Sequence, residues 1–139
     1  NPPRPRSPRS PRMTDIAPQT PVETLLQSAM AGQLPIRAFM QAFVASDVVL
    51  LTGSLVTPDG SGFDPLLFDK QGVLHVAVFT DAARVGNFAQ QAPHQLRWLM
   101  LDVLRRVPGG YGVVINPGTT LGFEISPQGV GEILKDLAG

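Results

Sequence analysis

Cysteine is absent from the 139 residues. That excludes a disulfide framework, a thiolate nucleophile and any cysteine-ligated metal site. Histidine is scarce: the two present, His75 and His94, lack the spacing of a metal pair, and no HExxH brings a glutamate between them. Apolar runs are short. The longest, VVLLTGSLV at 48–56, is interrupted by Gly53 and falls well below the ~18–20 residues of a membrane span. The N-terminus is positive but has no apolar core or cleavage site of a signal peptide. A cytoplasmic protein without membrane contact is the expectation.

A basic surplus is missing as well. The formal charge is zero, but Arg4, Arg6, Arg9 and Arg12 stand in NPPRPRSPRSPRM with no acid among them. Outside that run, seven basic residues face eleven acidic ones. Nucleic-acid binding would therefore depend on the arginine-rich extension alone. Residues 1–19 read as a disordered extension, because the prolines block helix formation and the segment has no core residues. Met13 opens MTDIAPQT like a natural start, so residues 1–12 are read as non-native in part.

Residues 20–139 read as one domain of α/β or α+β class, with a central mixed sheet of about five strands flanked by helices. Thr20, Pro21 and Glu23 form helix-start grammar with a capping box, and Val22, Leu25, Leu26, Ala29 and Met30 make an apolar stripe that Gly32 ends. A second helix is expected over 35–45, with Ile36, Phe39, Met40 and Phe43 on its buried side. Residues 48–56 read as a central strand covered on both faces. TPDGSG at 57–62 reads as a turn, and PLLF, DKQG and VLHVAVFT as a hairpin. A short helix is expected through AARVGNFAQQ, started by Thr80 or Asp81, and a longer one over 94–107. Strands at 111–115 and 121–125 then flank Asn116-Pro117-Gly118, and a last helix follows Ser126.

GGYGVVINPGTTLGFEIS invites comparison with a phosphate loop. Such a loop gathers backbone N–H groups and opens onto a helix. This one leads into a second strand, Pro117 removes a donor, and neither GxGxxG nor GxxxxGK[ST] is present. A tight turn is the simplest reading; a shallow recognition surface and a nucleotide cradle stay open, with Asp81, Asn116 and Gly118 as candidate ligand-binding residues. No catalytic or metal-binding residue is assigned and no cofactor is expected. His75 reads as a strand residue with a local hydrogen bond, and His94 as a first-turn surface residue. Asp59, Asp64 and Asp69 lie in or beside turns without an EF-hand ladder. Ser54 and Ser61 lack a G-x-S-x-G elbow. On a helical wheel Trp98 and Leu101 border the Leu96–Leu99–Val103 face; they either pad the core or, rimmed by Arg105, form an interaction surface.

ETLLQSAMAGQLPIRAFMQAFVASDVVL, VLHVAVFTD and GYGVVINPGTTLGFEIS together resemble the SseB N-terminal domain family, named for enhanced serine sensitivity and common in actinobacterial proteins. The resemblance runs from about Pro21 to the C-terminus, with Phe79-Thr80-Asp81 and Ile115-Asn116-Pro117-Gly118 its most specific parts. It implies an α/β domain without established catalytic residues. The functional expectation is a non-enzymatic domain that binds a protein partner or forms a homodimer. The alternatives are a small-molecule or nucleotide-binding domain and, more weakly, an enzyme with an unfamiliar site.

Overall fold

The computed structural model describes residues 16–53 and 65–137. The expected turn at 57–62, the end of the expected first strand and residues 1–15 of the extension lie outside them. Among the described residues six strands fall into two sheets, which β1 joins by bridges at Val49–Phe79 and Thr52–Pro65. A four-stranded sheet runs in the order β2 (Leu67–Lys70), β3 (Val73–Val78), β5 (Gly112–Ile115), β6 (Phe123–Ile125). β1 (Asp47–Thr52) and β4 (His94–Leu99) form a two-stranded antiparallel sheet, from Asp47 opposite Leu99 to Thr52 opposite His94. Val49 and Phe79 exchange backbone hydrogen bonds of 2.8 Å in each direction and link the sheets. The expected single sheet of about five strands is thus divided, within a single mixed domain.

Period-two alternation explains why β1 and β3 are apolar almost throughout. Val48, Leu50, Val76, Val78, Val113 and Ile115 belong to one core, which the helices cover. Val49, Leu51, Ala77, Phe79 and Val114 belong to a second core beneath residues 85–92. Both faces are sealed, so β1 needs apolar residues at successive positions, as its sequence suggests.

The helices are α1 (Pro21–Met30), α2 (Ile36–Val44), α3 (Met100–Arg106) and α4 (Pro127–Leu137). Thr20 caps α1 through Oγ1, which accepts the Glu23 N–H at 3.2 Å. Phe39 and Phe43 stack on α2 with ring centroids 5.4 Å apart and meet Phe123 edge-on. Ser126 Oγ accepts the Gly129 N–H at 3.0 Å at the start of α4.

Three expectations change. Residues 94–107 are not one helix: the first six pair with β1, and only Met100 onward is helical. Half-buried and exposed residues alternate from His94 through Trp98, the signature of a strand. Residues 82–91 form two 3₁₀ turns, Ala82–Arg84 and Gly86–Gln90, because Gly86 takes a left-handed φ of 52° between them. The third change is Ile36. The helical stripe predicts it buried, but it is 63% exposed, the most exposed large apolar side chain among the described residues.

Candidate functional site

The densest polar cluster begins with Glu23, which is fully buried. Its Oε1 accepts Arg84 Nη2 at 2.6 Å and the Gln19 N–H at 2.8 Å; its Oε2 accepts Arg84 Nε at 2.9 Å and the Thr80 hydroxyl. Burial alone pushes the Glu23 carboxyl up. Hydrogen bonds from Arg84, Thr80 and the Gln19 amide, with the Arg84 charge, outweigh it and hold the group down to about 2. The same pairing raises the Arg84 guanidinium above its ordinary value. Arg84 Nη2 also donates to the Ala17 carbonyl at 2.6 Å, and the Ile16 N–H donates to Thr120 Oγ1 at 3.1 Å. Residues 16–19, within the expected extension, are held against the domain by these bonds.

Thr80 carries the cluster to the Asn116 turn. Asn116 Nδ2 donates to Thr80 Oγ1 at 2.9 Å and to the Leu121 carbonyl at 3.0 Å, and its Oδ1 accepts the Thr80 N–H at 3.0 Å. Asn116 is fully buried with a positive φ of 47°, a conformation asparagine tolerates better than most residues. The Thr119 N–H closes a turn onto the Asn116 carbonyl at 3.2 Å, with Pro117 second and Gly118, at φ 80°, third. That is the type II pattern the NPG triplet predicts. The turn opens a seven-residue connection between Ile115 and Phe123 rather than a tight hairpin. All the buried side-chain polar atoms described find partners. The cluster is chemically occupied, and what it does is brace α1, the 3₁₀ segment and the Asn116 turn against one another.

Concavities flank this brace and the adjoining helices. A cleft of about 410 Å³ lies between Ala83–Phe88 and Pro117–Thr119, with Ile16 at its lip. A groove of about 450 Å³ runs between α2 and α4 along β6. Its apolar lining comes from Ile36, Met40, Phe123, Ile125 and Ile133. Its charged border is Glu124, Glu132 and Asp136 against Arg37. Arg37 Nη1 reaches Asp136 Oδ2 at 3.9 Å across the two helices. On the far side of β6, Lys70 Nζ pairs with Glu124 Oε2 at 2.8 Å and lowers the Glu124 carboxyl below its ordinary value.

The sequence candidates come together only in part. Of Asp81, Asn116 and Gly118, only Gly118 lines this cleft, but Asn116 and Gly118 together line a neighbouring pocket of about 260 Å³ with Phe68, Phe88 and Phe123. Asp81 lines neither, and its Oδ2 caps the first 3₁₀ turn by accepting the Ala83 N–H at 3.1 Å. Trp98 sits on β4 opposite Val48, half-buried against the main core, with the Arg106 guanidinium 4.5 Å from its ring centroid. Leu101 is half-buried on α3, and exposed Arg105 lies 3.5 Å from Asp102. His75 is buried, its Nδ1 3.1 Å from the Val73 carbonyl, a local bond of the kind expected. His94 starts β4 rather than a helix. Glu23, Thr80 and Arg84 gave no sequence signal as a set, because 57 and 61 residues separate Glu23 from its partners.

The fold and its braced loops define a mixed α+β domain with several surface concavities. Residues 22–132 match the model of the SseB protein N-terminal domain, and the chain belongs to that family. No curated protein and no solved structure matches it. Among the described residues no helix is long and apolar enough to cross a membrane.

Proposed function

We propose that this domain is a non-enzymatic, cytoplasmic protein-binding module whose partner docks in the groove between α2 and α4. The observation that carries the reading is Ile36. Its helix predicts burial, yet it stands 63% exposed at the mouth of a concavity lined by Met40, Phe123 and Ile133. Covering such a side chain contributes about 1.5–3 kcal/mol. An apolar floor with a charged border is the anatomy of a protein interface. The Trp98–Leu101 edge is a secondary contact in this reading, since Trp98 already packs on the core and beneath Arg106.

The test is a photo-crosslinking residue at position 36, with position 95 as the control. Gln95 is exposed on β4, in the other sheet from β6. A discrete crosslinked protein at 36 and not at 95 is expected. The same products at both positions would count against the groove.

A second reading rests on the 410 Å³ cleft, where the 3₁₀ segment and the Asn116 turn meet around one space. A small molecule seated there would contact Gly118, Phe88 and the exposed Asn87. A metabolite screen by thermal shift, repeated on Gly118→Val, separates this reading from the first.

A further inference from the structure

We propose that the groove takes its partner as an extended, basic, proline-poor segment that pairs with β6 and adds a strand to the four-stranded sheet. The proposal rests on the protein-binding reading above and specifies the occupant. Among the described residues β6 is the last strand of the sheet and pairs only with β5, through Phe123, Glu124 and Ile125. A strand with one neighbour directs part of its N–H and C=O groups outward. Among the described residues those three make no backbone hydrogen bond outside the β5–β6 pair. The outward edge opens into the groove, between Ile36 and Met40 on one wall and Ile133 on the other. An added strand would satisfy the edge, and its alternate side chains would enter the apolar floor.

The charges choose the occupant. Glu132 and Asp136 border the groove against one guanidinium, Arg37, while Glu124 is already paired with Lys70 on the far side of β6. The Arg37–Asp136 pair is long at 3.9 Å, with side chains 66% and 54% exposed, so an incoming cation displaces it at little cost. A second copy of this chain fits poorly. Its β6 would enter as Phe123-Glu124-Ile125, a strand that brings no cation to Glu132 and Asp136. The arginine-rich run at 1–12 has the charge, but its prolines recur within every three residues and remove N–H donors. The other edges suit a basic strand less. Beside β2, the Leu66 N–H is already bonded to the Leu51 carbonyl at 3.1 Å, and β4 presents exposed Arg97. A separate protein supplying a lysine- or arginine-bearing strand is the occupant these features select.

The experiment is a titration of the isotopically labelled full chain, followed by backbone amide NMR. The probes are a Lys-Val-Lys-Val-Lys-Val peptide, its Glu-Val counterpart, and the lysine peptide N-methylated at alternate amides. The lysine peptide is expected to shift the amides of 123–125 and the facing turns of α2 and α4, saturating in the millimolar range. The glutamate and methylated peptides should each bind at least about tenfold more weakly. Glu132→Lys combined with Asp136→Lys should reverse the charge preference while leaving the remaining spectrum folded. Equal binding of both charges, full binding by the methylated peptide, shifts centred on β2 or β4, or no shift at all would each overturn the proposal. If the peptides fail while a partner still crosslinks at position 36, strand addition falls and the protein-binding reading stands. If the crosslink fails too, both fall.

Discussion

The Arg84 guanidinium holds both carboxylate oxygens of Glu23, with Nη2 2.6 Å from Oε1 and Nε 2.9 Å from Oε2. The side chains are 7% and 0% exposed, so this ion pair differs in kind from the surface pairs at Arg37, Lys70 and Arg105. Buried pairs bring a desolvation penalty that only good geometry and further hydrogen bonds offset. Here Thr80 and the Gln19 amide supply those bonds. Removing one partner strands the other. Arg84→Met should therefore destabilise the domain by about 3–5 kcal/mol, read as a lower urea midpoint with an unchanged slope.

Acid should weaken the same contact. The Glu23 carboxyl is held to about 2 in the folded protein against an ordinary 4.5. Its stabilising contribution is complete above about pH 4.5 and fades as pH falls toward 2, where the folded form also takes up the proton. The full displacement corresponds to about 3 kcal/mol. Urea melts across this window should show the loss in the wild type, and Glu23→Gln should be flatter there. Parallel curves for the two proteins would contradict the assignment.

Asn116 does two things at once: it adopts a left-handed φ of 47°, and its side chain ties Thr80 to Leu121. Asn116→Gly keeps the backbone freedom and loses the bonds, whereas Asn116→Ala loses the bonds and adds backbone strain of about 1–2 kcal/mol. Thermal melts should rank wild type above glycine, and glycine above alanine. Equal melting of the two variants would mean the backbone is not strained.

Gly122 has no room for a methyl group. A Cβ there would lie 2.6 Å from the Asn116 carbonyl oxygen and 2.9 Å from that of Ile115, both backbone atoms that cannot swing aside. Gly122→Ala should move the 116–122 connection and lower the melting temperature. Gly131→Ala, at a site with open space, should not. A Gly122→Ala spectrum unchanged at Asn116 would contradict the close approach.

Much of this fold was legible in the sequence where the deciding contacts are local. Thr20, Pro21 and Glu23 announce α1 because a cap is a contact within one turn. DKQG announces a hairpin because its glycine suits a positive φ, although the strand runs on through Asp69 and Lys70 and leaves only Gln71 and Gly72 in the loop. HQLRWLMLDVLRRV misled because Leu96, Leu99, Met100 and Val103 also satisfy a helical period. What makes its first half a strand is β1, more than forty residues earlier. The capping box likewise hid the larger role of Glu23, whose carboxylate accepts the Gln19 N–H at the helix start and also binds Arg84 and Thr80. The candidate site split along the same line. The NPG turn was readable, but nothing local tells that Asn116 is sealed in a brace or that Ile36 stands over a groove.

The groove is the central claim, and the measurement that tests it most directly is calorimetric. The partner recovered by crosslinking at position 36 is titrated into the wild type and into Ile36→Glu, with the melting temperature of each followed in parallel. Ile36 is exposed, so the substitution should change stability by no more than about 0.5 kcal/mol. Loss of its burial on binding should weaken the complex by roughly tenfold to a hundredfold. An equal dissociation constant for the two proteins, at equal melting temperature, would show that the partner does not use the groove.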